Sequence, residues 1–305
     1  MKQQTTRDVF DNPKMPVIFL VLAGFIILFG AGYIWYTLVY TSPERTFWGM
    51  MENNLQTRGV TKTIKQDNQQ GSITQHSQIE FASKHQAKSY THITQKDETR
   101  SYQTTVISKA INTPTKNYVK YVDIETASEE GEDLDFSEVI GVWGKEDVVD
   151  SQEAQNTYTE LVFGLLPFAD LQNHQRQKIM DFIKDNNVYE VDFDQAEKIN
   201  SDGRSMYEYP IRVNMASFVA MLIKIDELKV INQLEGLDPE VYQFSPATEF
   251  TATVDISNRQ LRHITHSDGE HQETYRAFGA YLDIDIPKET IPRQELEEVL
   301  QEVLQ

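Results

Sequence analysis

The 305-residue chain contains no cysteine. That excludes disulfides, thiolate metal sites, a cysteine nucleophile and a lipid-modified cysteine, and it is compatible with either redox compartment. Positive charge is scarce, with 28 Lys+Arg against 47 Asp+Glu and a net charge of -19. A nucleic-acid binder needs a basic footprint, so DNA and RNA are not expected partners. Catalytic signatures are missing as well. There is no G-x-S-x-G, no G-x-x-x-x-G-K-S/T and no H-E-x-x-H, hence no positioned nucleophile, phosphate loop or zincin helix.

The charge that is present is uneven. Residues 44–125 hold 11 basic and 8 acidic side chains, whereas residues 126–305 hold 14 and 37. Such asymmetry suits two separate surfaces, one turned toward an anionic membrane, although a plain solubility charge is the simpler reading.

One long apolar run stands out. "MPVIFLVLAGFIILFGAGYIWYTLVY", Met15 to Tyr40, carries no charged side chain, and about 20 helical residues cross a hydrocarbon layer of about 30 Å. Tyr33, Trp35, Tyr36 and Tyr40 gather at its C-terminal end, where amphipathic rings favour the interface, and Lys2, Arg7 and Lys14 precede it. The expectation is a single-pass cell-membrane protein. It has a cytoplasmic tail (1–14), an uncleaved anchor (15–40) and an extracytoplasmic remainder. A signal peptide cut near Gly30-Ala31-Gly32 is the rival, but its apolar region would be shorter.

The outer part reads as one α+β domain over 42–290, closed by an acidic amphipathic helix at 291–305. "TSPERTFWGMMENNLQTRG" opens with a helix capped by Ser42, with Pro43 in its first turn and Gly59 as stop. Alternating Thr, Gln, Ser, Tyr and Val follow in "SITQHSQIEFAS", "KSYTHITQ", "SYQTTVIS" and "NYVKYVDIET", the pattern of an antiparallel meander. "ASEEGEDLDFSE" lacks the regular calcium-loop spacing and reads as a solvated acidic loop. Helices are expected over 151–163 and 173–186, then strands "YEVDFDQAEKI" and "SMYEYPIRV" joined by "NSDG". The most apolar helix is "NMASFVAMLIKIDELKVINQL", with Asn214 as cap. Strands return in "FTATVDISNRQLRHITH" and "EHQETYRAFGAYLDIDIP".

Three groups of residues could carry function. In "HITHSDGEHQETY", a two-residue turn at Asp268-Gly269 sets His266 opposite His271, with Glu273 on the same face, close enough for one divalent ion. Yet the trio would hang at an exposed hairpin tip with nothing evident to orient the rings, so a polar hairpin binding no metal is the preferred reading. The carboxylate pairs Asp192/Asp194 and Asp283/Asp285, two apart on expected strands, are better explained as solvated faces than as acid and base. Last, the helix stripe Phe218, Met221, Leu222, Ile225 and Leu228 could face Phe163, Leu165, Leu166 and Phe168 across an apolar groove, unless these side chains simply fill a core.

The strand pair "TVDISNRQLRHI", turning between Val254-Asp255 and Leu261, and "FGAYLDIDIP", with Gly279 before an edge strand stopped by Pro287, resemble in pattern the lipoprotein-carrier fold. That fold is shared by periplasmic lipoprotein carriers and mycobacterial LppX/LprG-type lipid-binding lipoproteins, and the match covers roughly residues 43–290. The resemblance implies a curved antiparallel half-barrel with helices on its concave face. It also implies a non-enzymatic, cofactor-free protein whose partners are the membrane and a lipid or lipoprotein acyl chain. The anchor departs from that pattern and leaves a second reading, a sensory or scaffolding ectodomain with an envelope protein as partner.

Overall fold

A computed structural model describes residues 40–82, 85–96, 103–126, 134–148, 164–231, 233–234 and 236–304. Most of the expected span Met15–Tyr40, the expected helix 151–163 and Phe163 lie outside the described residues. No described helix is long and apolar enough to cross a membrane.

The architecture is α+β: a large open sheet and four described helices. Helix α1 (Pro43–Leu55) leads, with Ser42 accepting from the Arg45 amide as its N-cap. Five antiparallel strands follow as a meander: β1 (Gly59–Asn68), β2 (Gly71–Glu80), β3 (Gln86–Lys96), β4 (Gln103–Asn112) and β5 (Lys116–Glu125). Next come β6 (Trp143–Asp147), α2 (Asn173–Asp185), β7 (Tyr189–Val191), β8 (Glu197–Ser201) and β9 (Arg204–Val213). Helix α3 (Met215–Lys229) is capped by Asn214, whose side chain accepts from the Ser217 amide at 3.2 Å. The chain ends with β10 (Thr248–Asp255), β11 (Leu261–His266), β12 (His271–Arg276), β13 (Ile291–Pro292) and α4 (Arg293–Leu304).

Spatially the strands run β13-β6-β5-β4-β3-β2-β1-β12-β11-β10-β9-β7, with β8 sharing the outer edge of β9. All pairings are antiparallel except β13 with β6. The two ends of this path do not meet, and each is short: three residues in β7, two in β13.

One face of the sheet carries nearly all the packing. Tyr209 and Ile211 on β9, Phe250 and Ala252 on β10, Ile264 on β11 and Tyr275 on β12 are in register and point to a common side. There they join Phe47, Met50 and Met51 of α1, Ile179 and Ile183 of α2, and Met221 and Ile225 of α3 in the main core. Apolar area removed from water at roughly 25 cal/mol per Å² drives this assembly. A second, smaller core forms on the same face at the far end. There Leu296 of α4 packs with Ile124, Phe136 and Val139, and half-buried Val106 and Val119 adjoin them. The C-terminal helix is therefore part of this sheet's packing rather than an appendage.

Several expected elements differ. "YEVDFDQAEKI" is not one strand: Asp192 accepts from the amides of Asp194 and Gln195 and starts a single 3-10 turn, Phe193–Gln195, between β7 and β8. "AFGAYLDIDIP" forms no strand, because left-handed backbone at Ala277 (φ 51°) and Gly279 (φ 73°) ends β12. The chain then crosses to the other face, where Ile284 packs on Ile111 and Tyr118. Neither Asp192/Asp194 nor Asp283/Asp285 therefore lies on a strand. Strand β6 and the two-residue β13 were not anticipated.

Candidate functional site

The predicted groove residues fall on the packed face. Leu166, Phe168, Phe218, Met221, Leu222 and Ile225 are all buried in the main core, while Leu165 and Leu228 remain half-buried at its margin. Phe168 stacks on Phe81 at 5.7 Å between ring centroids and leans on Tyr275 at 5.4 Å. The described residues of the two expected walls thus belong to one core cluster.

Beyond that core the same face changes character. Register carries it from Ile264 and Glu273 through Ile64 to Gln75, Thr91 and Ser108, and in the next row through Gln66 to Ile73, Ile93 and Val106. None of the described helices makes its main contacts with β2, β3 or β4. The result is a strip of mixed polar and apolar floor, with Ile73 37% exposed, lying between the two helix-covered cores. Gln75 donates to Thr91 across it at 3.2 Å.

Where the strip meets the main core sits a cluster that the sequence reading underrated. The hairpin reverses through the four residues Ser267–Glu270 rather than by a two-residue Asp268-Gly269 turn: the Gly269 amide donates to the His266 carbonyl at 2.9 Å, Asp268 accepts from the amides of Glu270 and His271, and Gly269 takes φ 73°. The rings of His266 and His271 lie 4.1 Å apart, and one donor atom each from His266, His271 and Glu273 falls within 4.8 Å of the others. The trio is not at an exposed tip, because both imidazoles are half-buried and Glu273 is buried. Nor does it lack support. Lys62 of β1 reaches Glu273 Oε1 at 2.9 Å, the Tyr275 hydroxyl donates to Glu273 Oε2, and His271 Nε2 stands 3.5 Å from Oε1. Lys62 and Tyr275 were the residues missed. In "TKTIKQ" a lysine on an alternating strand reads as solvent-facing, yet its side chain is 5% exposed.

Burial pushes the Glu273 carboxyl upward, but His271, Lys62 and Tyr275 outweigh it and hold its pKa at about 2. Burial and the adjacent carboxylate push the Tyr275 hydroxyl well above its ordinary value. Desolvation, then the neighbouring His271, lowers His266 and keeps it neutral near pH 7. The Nε2 atoms of His266 and His271 are both buried; His266 Nε2 has no hydrogen-bond partner among the described residues, and His271 Nε2 has only the Glu273 carboxylate at 3.5 Å.

Two further cavities open elsewhere. One of about 740 Å³ lies along β7, β9 and β10, between Glu190, Arg212 and Glu249. The other, about 400 Å³, lies on the opposite face of the sheet beneath Arg204, Arg262, His263 and Arg276. In it Asp255 takes up the cationic heads, Arg204 at 3.1 Å and Arg262 at 3.3 Å, both on Oδ2.

No protein-family model and no curated protein matches the sequence. Among solved structures the chain is similar to LprF from Mycobacterium bovis, at 9% identity over 80% of this chain and 96% of that one, with a TM-score of 0.40. It is also similar to the Mycobacterium tuberculosis lipoprotein LppX, at 10% identity over 79% and 96%, TM-score 0.38. The second belongs by name to the group that the sequence pattern resembles. At this level of similarity neither carries a functional inference.

Proposed function

We propose that the chain is a membrane-anchored, extracytoplasmic, non-catalytic binding protein for lipid or lipoprotein acyl chains. The observation that carries this reading is the strip between the two cores. It has an apolar row of Ile73, Ile93 and Val106 beside a polar row of Gln75, Thr91 and Ser108, bounded on one side by α4 and on the other by the 164–171 segment, whose Gly164 lies against Lys62 and Tyr275. An apolar floor with a few convergent polar groups suits a chain with a polar head. The groove residues Phe218, Met221, Leu222, Ile225 and Leu228, with Phe163, Leu165, Leu166 and Phe168, then form the deep wall, reached by parting the helices from the sheet. Met221 can repack around a flexible guest. The uncharged run Met15–Tyr40, preceded by Lys2, Arg7 and Lys14, supports the reading of an anchor with residues 42 onward outside the cytoplasm.

A sensory or scaffolding ectodomain is the second reading, and it too has an observation behind it. After α3 the chain exposes Val230 (74%), Val241 (74%) and Phe244 (92%). Exposed apolar side chains grouped in this way mark contact surfaces.

The two part company under a photoactivatable fatty-acyl probe applied to the full-length protein in native membranes. Adducts mapped to β2–β4 support acyl binding, and Val106→Glu should abolish them. Labelling confined to residues 15–40 would end the carrier reading and promote the ectodomain one.

A further inference from the structure

The hairpin cluster offers something the acyl-binding reading does not use. Two imidazoles from adjacent antiparallel strands and a carboxylate on the same face present three donor atoms to one point. His266 Nε2 is buried and without a hydrogen-bond partner among the described residues, and His271 Nε2, also buried, has Glu273 Oε1 at 3.5 Å. A buried ring nitrogen left unmatched is unfavourable, so one set beside a second imidazole and a carboxylate calls for a ligand.

The spacing points to the kind of ligand. With zinc–nitrogen bonds of about 2.0–2.1 Å and zinc–oxygen bonds of about 2.0–2.2 Å, tetrahedral geometry sets donor atoms about 3.4 Å apart. His271 Nε2 and Glu273 Oε1 already stand at 3.5 Å, and the whole set needs to close by little more than 1 Å from its 4.8 Å limit. Glu273 is oriented from behind by the Tyr275 hydroxyl on its other oxygen, the outer-sphere support that a ligating carboxylate requires.

We propose that His266, His271 and Glu273 bind one divalent first-row transition-metal ion, of the zinc class, with a fourth coordination position left toward the strip on β2–β4. Nitrogen–nitrogen–oxygen donor sets suit such ions and disfavour calcium or magnesium, which take oxygen throughout. Lys62 is the built-in competitor. Its ammonium now neutralises Glu273 Oε1, and the arriving ion displaces it toward the face of the Tyr275 ring, whose centre lies 5.9 Å away.

The test uses the full-length chain in detergent, without a polyhistidine tag, stripped with a chelator and titrated with Zn²⁺ against a chromogenic chelator at neutral pH. One equivalent should bind. Co²⁺ at the same site should show the intense visible absorption of a tetrahedral ion. His266→Ala and His271→Ala should each weaken binding by at least about tenfold with an unchanged circular dichroism spectrum, and Glu273→Gln should do the same. Because Glu273 is buried, that variant can fail to fold, in which case the two histidine variants decide. Failure to bind a stoichiometric ion, or binding indifferent to both histidine substitutions, overturns the site.

Discussion

Two polar clusters occupy opposite faces of the same sheet, and they are built to different rules. On the outer face Asp255, its side chain 2% exposed, is saturated. Its Oδ2 takes Arg204 and Arg262, while its Oδ1 accepts the Ser257 hydroxyl at 2.6 Å and the amides of Ser257 and Asn258. On the inner face Glu273 is paired just as firmly, yet His266 beside it keeps a buried Nε2 unmatched. A polar group whose every bond is made inside the chain holds the β10–β11 turn and needs nothing more. One whose neighbours are left wanting is where a ligand should be sought. Among the described residues each cluster leaves a buried nitrogen unmatched, Arg262 Nε outside and His266 Nε2 inside, but the inner histidine belongs to a set of three metal-type donors within 4.8 Å of one another.

If that contrast holds, the largest effect should come from breaking the saturated cluster. Asp255→Ala strands the mostly buried Arg262 and uncaps the turn, and it should cost about 3–5 kcal/mol in urea unfolding. A loss below about 1 kcal/mol would dissolve the distinction. The inner cluster should reveal itself through acid. Glu273 has a folded pKa of about 2 against an unfolded value near 4.5. Its contribution is therefore complete above about pH 4.5 and is lost as pH falls toward 2, amounting to about 3 kcal/mol. Glu273→Gln should flatten that part of the stability–pH curve. Tyr275→Phe removes one charge-assisted hydrogen bond and should cost about 2 kcal/mol. Smallest of all, the triple change Lys62→Met, Glu273→Leu and Tyr275→Phe, which leaves no orphaned hydroxyl, should fall within about 1 kcal/mol of the parent chain, since a buried ion pair replaced by apolar groups is near neutral. A large loss would mean that the inner pair is as structural as the outer one.

What could be read beforehand follows from where local chemistry dominates. The Asp-Gly pair marks the reversal even though the turn is not the two-residue one expected, so the opposition of His266 and His271 was legible, as were the meander β2–β5 and the Asn214-capped helix α3. Lys62 was not. Period two says which residues share a face, but not which face is packed, and a lysine among Thr and Gln gives no hint that Tyr275 and Glu273 await it across β12. "AFGAYLDIDIP" misled for the opposite reason: its alternation is real, but left-handed backbone at Ala277 and Gly279 turns the chain away before it can pair, and its apolar residues serve the other face. The apolar stripe of α3 packs into the main core, and its width in the sequence does not distinguish a groove wall from a core. The two-residue β13 carries no pattern at all, since its pairing depends on where α4 docks.

The open sheet has one further consequence, at its margins. A ladder of thirteen strands with unclosed ends would template the addition of other chains if its outermost strands were long and flat. Here one end finishes in two residues, the second of them Pro292, which has no amide to donate. The other is broken into β7 and β8 by the 3-10 turn at Phe193–Gln195, and beside it Arg212 is flanked by Glu190 and Glu249. Neither margin offers a straight run of free backbone to an incoming strand, so the sheet resists edge-to-edge aggregation without closing on itself.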